Sequence, residues 1–220
     1  MKHILIVSAT PFEIQPLLDY LEIKNPVLGM NLPLKQPSNK EINVLITGVG
    51  MVNTALMVGR YSLTPFDLAL NVGVCGSFDK LLELGELVNI TNDVLSEMGA
   101  EDGEDFITYD KLKLGSTHQF TSNFNSSNTH INSLKKVKGI TVNTIHGNEL
   151  SIQKIKNIYN RDIESMEGAA FFAGCSATKQ FLQIRAISNY VEKRDKSKWK
   201  MELAINNLND FLIQFLSENN

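Results

Sequence analysis

Asp67-Leu68-Ala69-Leu70-Asn71-Val72-Gly73-Val74-Cys75-Gly76-Ser77 begins as an apolar run and turns glycine-rich before it ends. Its opening predicts a buried β-strand over 67–72, and the glycines that follow read as a turn where backbone can approach a ligand closely. A second apolar run, 41–47, leads in the same way into Thr47-Gly48-Val49-Gly50. Two readings stand for the pair: a ligand cradle at the carboxyl ends of parallel strands, or two tight strand-to-helix turns. Neither cluster is a dinucleotide or phosphate-loop fingerprint, because no lysine follows and the spacing is wrong.

Working outward, short apolar runs also occur at 3–8, 86–90, 139–145 and 182–187. Helical spacing of apolar residues appears between them, at 11–21, 52–63, 151–159, 166–178 and 196–216. This alternation predicts a layered α/β fold in one domain spanning residues 1–220. Two stretches read as surface loops: 98–106, acidic and glycine-rich, and 116–132, dense in Ser, Thr and Asn.

With 21 basic and 24 acidic residues the formal charge is −3, and no long basic block offers a footprint for nucleic acid or an anionic membrane. A small-molecule partner is expected instead. No run approaches the roughly 20 apolar residues of a membrane helix, and the apolar amino terminus stops at Pro11 without a cleavage site, so a cytoplasmic protein is expected. Cys75 and Cys175 lie in apolar segments, and the four histidines are scattered singly, so no metal and no cofactor are expected.

Three segments carry candidate chemistry. Glu13 stands third after Thr10 in Thr10-Pro11-Phe12-Glu13, the pattern of a capping box, and also the place for a general acid/base at the rim of a sheet. Glu164-Ser165-Met166-Glu167-Gly168-Ala169-Ala170 sets two acids at the mouth of a small-residue helix, either as solvated first-turn acids or as acceptors for sugar hydroxyls. Asn189 closes Arg185-Ala186-Ile187-Ser188-Asn189-Tyr190, either as an Asx-turn residue or as an amide that both donates to and accepts from a planar base.

In this order and spacing, the segments resemble the nucleoside phosphorylase and nucleosidase family from the first strand to the last helix. The resemblance implies a three-layer fold, a central twisted mixed sheet flanked by helices, with an active site at strand ends that a neighbouring subunit often completes. A homodimer or higher homo-oligomer is therefore expected. It implies cleavage of a purine N-glycosidic bond, with Glu13 activating the attacking water and Asn189 meeting the base near N7. Val74, Cys75, Gly76, Met166, Glu167 and Ser188 would bind the substrate, Glu167 through the ribose hydroxyls.

Phosphorylases of the family hold phosphate with an arginine and a serine where this chain has Asn71 and Val74, which implies water as the nucleophile. Asn189, where nucleosidases acting on aminopurines have an aspartate, implies a 6-oxopurine as leaving group. A base-stacking aromatic is expected near 144–150, where this chain has none; Phe106, Tyr109 and Tyr190 are the candidate replacements. An acidic 5′ substituent would need a cation, for which Lys193 and Arg194 stand ready if they are not simply a solvated helix entry.

Overall fold

The computed structural model describes residues 3–33, 40–61, 64–113, 115, 117–125, 127–175 and 178–217. Of the expected segments, the first two and last three residues of the chain, the end of the helix at 62–63, positions 176–177 and positions 116 and 126 of the expected loop lie outside the described residues.

Eleven strands are formed by the described residues: β1 (His3–Ser8), β2 (Gly29–Asn31), β3 (Glu41–Ile46), β4 (Leu68–Ser77), β5 (Leu87–Leu95), β6 (Gly99–Asp102), β7 (Asp105–Thr108), β8 (Gln119–Thr121), β9 (Lys135–Thr141), β10 (Ile163–Ser165) and β11 (Phe181–Tyr190). The helices are α1 (Gln15–Tyr20), α2 (Met51–Tyr61), α3 (Tyr109–Leu112), α4 (Thr129–Asn132), α5 (Glu149–Tyr159), α6 (Gly168–Gly174) and α7 (Met201–Ser217). The central sheet is mixed, in the order β10-β9-β5-β11-β4-β1-β3-β2, with β8 on the flank of β5.

β4 organises this sheet. Its first half pairs in parallel with β1, from Leu68 to Asn71, and its last residues, Gly76 and Ser77, pair antiparallel with β10. Because β10 also pairs with β9, the strands β4, β11, β5, β9 and β10 close into a ring beside an open sheet made by β1, β3 and β2.

Along β1 successive side chains face opposite layers, as a strand buried on both faces requires. Ile4 and Ile6 pack among Leu17 and Leu18 of α1 and Leu208, Phe211 and Leu212 of α7. Leu5 and Val7 pack on the other side, with Val58 of α2 and Phe171 and Phe172 of α6. The result is a central sheet flanked by helices. Among the described residues no helix is long and apolar enough to cross a membrane.

Several boundaries differ from those expected. The second glycine cluster is not a turn: Gly73 to Ser77 continue β4, with Gly73 opposite Arg185 on β11. Glycine is needed there for space rather than for a bend, since a Cβ on Gly73 would stand 2.6 Å from both Arg185 Nη1 and Glu13 Oε1. The first cluster does turn, with φ of +82° at Gly48 and +96° at Gly50. The helix expected over 166–178 is α6, which begins only at Gly168, with Glu167 at its N-cap. The loop expected over 98–106 is mostly the hairpin β6–β7, and that over 116–132 holds β8 and α4.

Candidate active site

Glu13 sits in a 3₁₀ turn, Pro11–Ile14, just beyond the carboxyl end of β1. Oε2 accepts hydrogen bonds from the Thr10 amide at 3.1 Å and the Thr10 hydroxyl at 3.0 Å. Oε1 accepts from the Val74 amide of β4 at 3.1 Å. The capping contact and the position at the sheet rim are thus one arrangement, each oxygen serving one of them. Only 9% of the residue is exposed. Burial pushes its carboxyl above the ordinary range; Arg185 pulls it back, Glu167 adds to the rise, and the Val74 and Thr10 donors lower it.

Glu167 lies across from it. Its Oε1 accepts from the Gly50 amide at 3.1 Å, the contact that the left-handed turn at Gly48 and Gly50 presents, and its Oε2 is 3.5 Å from Arg185 Nη1. Arg185 is fully buried on β11. It donates through Nε to Gln183 at 3.1 Å and through Nη2 to Asn71 Oδ1, so it stands as a fixed cation between the two glutamates. No role for Arg185 is expected from the sequence, where an interior strand residue carries no local signal beyond its charge.

Asn189 is set by a β-bulge. β11 runs in register with β4 to Ile187, after which Asn189 rather than Ser188 faces Gly76, leaving Ser188 as the extra residue. Ser188 Oγ lies 2.8 Å from Asn189 Oδ1 and 3.1 Å from the Cys75 carbonyl, and Asn189 Nδ2 donates to its neighbour's carbonyl on Tyr190 at 3.0 Å. The strand therefore reaches past the expected boundary at 187 and carries Asn189 with it.

These side chains meet in one cleft of about 350 Å³ at the strand ends. Glu13, Val74, Cys75, Gly76, Met166, Glu167, Ser188 and Asn189 all line it, with Val49, Phe12, Ile145, Trp199 and Arg194 around them. Asn71 does not: its amide is spent on Arg185 and on the Val7 carbonyl, 3.2 Å away. The Cys75 thiol is pushed up to about 12, chiefly by burial, so it presents a neutral sulfhydryl to the cleft.

Glu164 is buried completely, and its carboxylate takes the His146 amide at 3.1 Å and His146 Nδ1 at 2.6 Å. It is not solvated, and although it borders the cleft its carboxylate is committed to His146, pinning the loop that brings Ile145 to the same cleft. None of the three aromatics named as base-stacking replacements lines this cleft. Phe106 borders a separate pocket with Gly99 and His146, Tyr109 packs on His118 at 5.3 Å, and Tyr190 donates to the Leu82 carbonyl at 3.1 Å. Ile145, 39% exposed, and the Trp199 ring are the apolar surfaces present instead. Their signal was missed because Ile145 is not aromatic and Trp199 was read as a helix residue, whereas α7 begins at Met201. Lys193 is absent from the cleft lining, while the Arg194 guanidinium lies 4.9 Å above the Trp199 ring.

Residues 3–217 match the family described as the Phosphorylase superfamily. The chain belongs to that superfamily. Among curated relatives of this superfamily member, futalosine hydrolase of Thermus thermophilus is 27% identical over 181 residues, 79% of this chain and 80% of that protein. The solved futalosine hydrolase of Helicobacter pylori superposes with a TM-score of 0.79 at 18% identity, covering 99% of this chain and 98% of that one. The 5′-methylthioadenosine/S-adenosylhomocysteine nucleosidase of the same organism gives 0.80 at 19%, over 100% and 99%. The superfamily fold is thus shared with both activities.

Proposed function

We propose that this protein is a nucleosidase that hydrolyses the purine N-glycosidic bond of futalosine, releasing hypoxanthine and dehypoxanthine futalosine in the futalosine route of menaquinone biosynthesis. The observation that carries this reading is the buried Glu13–Arg185–Glu167 cluster beside a cleft that Glu13 and Glu167 line together with Asn189.

In the reaction the bond from C1′ to the base nitrogen breaks as positive charge builds on the sugar and negative charge on the purine. Glu13 takes a proton from water as its oxygen bonds C1′; a carboxylate whose affinity for protons is raised by burial is a better base near neutrality. Glu167, anchored by the Gly50 amide and Arg185, accepts from ribose hydroxyls and offsets the sugar's charge. The departing base takes up a proton from solvent while Glu13 later returns to solvent the one it removed from water, and Asn189, braced by Ser188, donates to the 6-carbonyl and accepts from N7–H.

Water rather than phosphate is favoured by the second glycine segment. Val74 offers the cleft an isopropyl group, its amide is occupied by Glu13, and Asn71 is turned inward. A phosphate dianion would lose hydration there without matching donors. The 5′ end of a substrate carrying a benzoate is served by Arg194, which has no carboxylate partner among the described residues, and by the ring of Trp199.

We extend the proposal to assembly as a homodimer or larger homo-oligomer. Val49, Val52 and Leu56 leave a largely exposed apolar strip along the start of α2, and Val49 belongs to the cleft rim.

Incubation of the purified protein with futalosine, inosine and methylthioadenosine, with and without phosphate, tests the reading. Hypoxanthine from futalosine, independent of phosphate, is the expected result. Adenine from methylthioadenosine as the main product, or a sugar phosphate, would overturn it.

A further inference from the structure

Behind the cleft, on the far side of Arg185, a chain of buried polar groups runs through the closed half of the sheet. Asp93 on β5 and Gln183 on β11 are both fully buried. Asp93 Oδ2 accepts from Gln183 Nε2 at 3.0 Å, and Gln183 Oε1 accepts from Arg185 Nε at 3.1 Å. Asp93 Oδ1 accepts from the Thr141 hydroxyl at 2.9 Å, and that oxygen in turn accepts from the Ala169 amide at 2.7 Å, in the first turn of α6. Gly168 makes the approach possible, because a Cβ on it would collide with Asp93 Oδ2 and both polar atoms of Gln183.

The chain has a direction. An amide has one donor end and one acceptor end, and the carboxylate of Asp93 can only accept while Arg185 can only donate. Gln183 is therefore locked with its oxygen toward the arginine; reversal would set N–H against N–H at one end and oxygen against oxygen at the other. Burying these groups is costly, and hydrophobic residues of the same volume would pack β5 against β11 without that cost. What the polar chain provides is a fixed position for a guanidinium that faces Glu13 and Glu167.

We propose that Asp93 and Gln183 are positioning residues, a buried brace that sets Arg185 between the two cleft carboxylates and so tunes the base, Glu13. The proposal rests on the reading of Glu13 as the base in the preceding section. Arg185 lowers the proton affinity of Glu13 while burial and Glu167 raise it, with the Val74 amide and Thr10 as the remaining contributors. If the guanidinium shifts away, Glu13 holds its proton to higher pH. The charged groups acting on Asp93 are Arg185 and, more weakly coupled from the loop before β10, Arg161.

Gln183→Met keeps the side-chain length and removes both hydrogen bonds. We expect kcat to fall by about tenfold or more with KM changed by less than about threefold, since the sugar still meets Glu167. The acid limb of kcat/KM should move up by about half a pH unit or more. Asp93→Asn is the second variant, isosteric and so available if the first does not fold. Removing a negative charge can directly only lower the Glu13 titration, so an upward shift reports displacement of Arg185.

The titration of Glu13 is also followed by ¹³C-carboxyl NMR on glutamate-labelled protein, with Glu13→Gln as the assignment control. That measurement reads the brace whether or not futalosine is turned over. An inactive wild-type enzyme with the shift present sinks the functional reading and keeps the brace. Unchanged Glu13 titration in folded variants, even with a lower melting temperature, overturns the brace.

Discussion

Glu13 receives donors from two different stretches of chain, the turn after β1 and the middle of β4, and shares a neighbouring cation with Glu167. Thr10 can hold a glutamine oxygen where it holds Oε2 while the contact with the Val74 amide is lost, so Glu13→Gln should leave substrate bound and lower kcat by at least about a hundredfold. Isothermal titration with an uncleaved nucleoside analogue, beside a turnover assay, checks the two halves separately. The pH sign follows from the direction of the shift. A base works only when deprotonated, and burial raises Glu13 above the ordinary carboxylate range, so activity should rise with pH through a limb displaced upward from that range. In the same cleft, Asn189→Asp replaces an amide that Ser188 and the bulge hold in place. The variant should lose activity on hypoxanthine nucleosides and gain relative activity on adenine nucleosides, measured as the ratio of kcat/KM values. An unchanged ratio would remove the 6-oxopurine assignment.

Between elements, the closest fit is where β4 passes Arg185 and Glu13. Gly73→Ala drives a methyl group against two buried, hydrogen-bonded groups, and at least one must leave its hydrogen bonds to make room. Activity should fall by about a hundredfold, with a melting temperature below that of wild type. Gly59→Ala is the control: nothing lies within 4 Å of its Cβ on α2, and alanine favours helix, so stability should rise by a few tenths of a kcal/mol to about 1 kcal/mol, with activity intact. The same stretch marks how far sequence reading reaches. β1, β3 and the opening of β4 were legible because they are continuous apolar runs buried on both faces. The glycines after Val72 looked like a turn because glycine at a bend and glycine beneath a crowded side chain look the same in one dimension. Short strands such as β2 and β8, three residues each, owe their existence to neighbours far along the chain and leave no period to detect. All eight residues named for the site reach the cleft, because strand ends collect them whatever the exact boundaries are. Arg185 went unassigned because its role depends on Gln183, Asn71 and Glu167, whose proximity only the pairing of β11 with β4 and the placement of α6 creates.

For the whole molecule, the apolar strip on α2 makes the cleft and the state of assembly inseparable under the proposed oligomer. Leu56 is 66% exposed and one turn beyond Val52. Leu56→Asp should convert the oligomer to a monomer, read by light scattering after size exclusion, and reduce kcat/KM by raising KM, since the cleft rim at Val49 would lose its cover. A wild-type protein that is already monomeric would overturn this expectation. A larger consequence lies in the bulge at Ser188. Deleting Ser188 would restore an unbroken ladder with β4 and leave Asn189 opposite Gly76, but without the hydroxyl, 2.8 Å from its Oδ1, that holds the amide in place. Loss of a single codon would then leave a folded sheet whose cleft amide is free to turn. The length of this one strand is therefore inherited information, as binding on the aim of the amide as any side chain the strand carries.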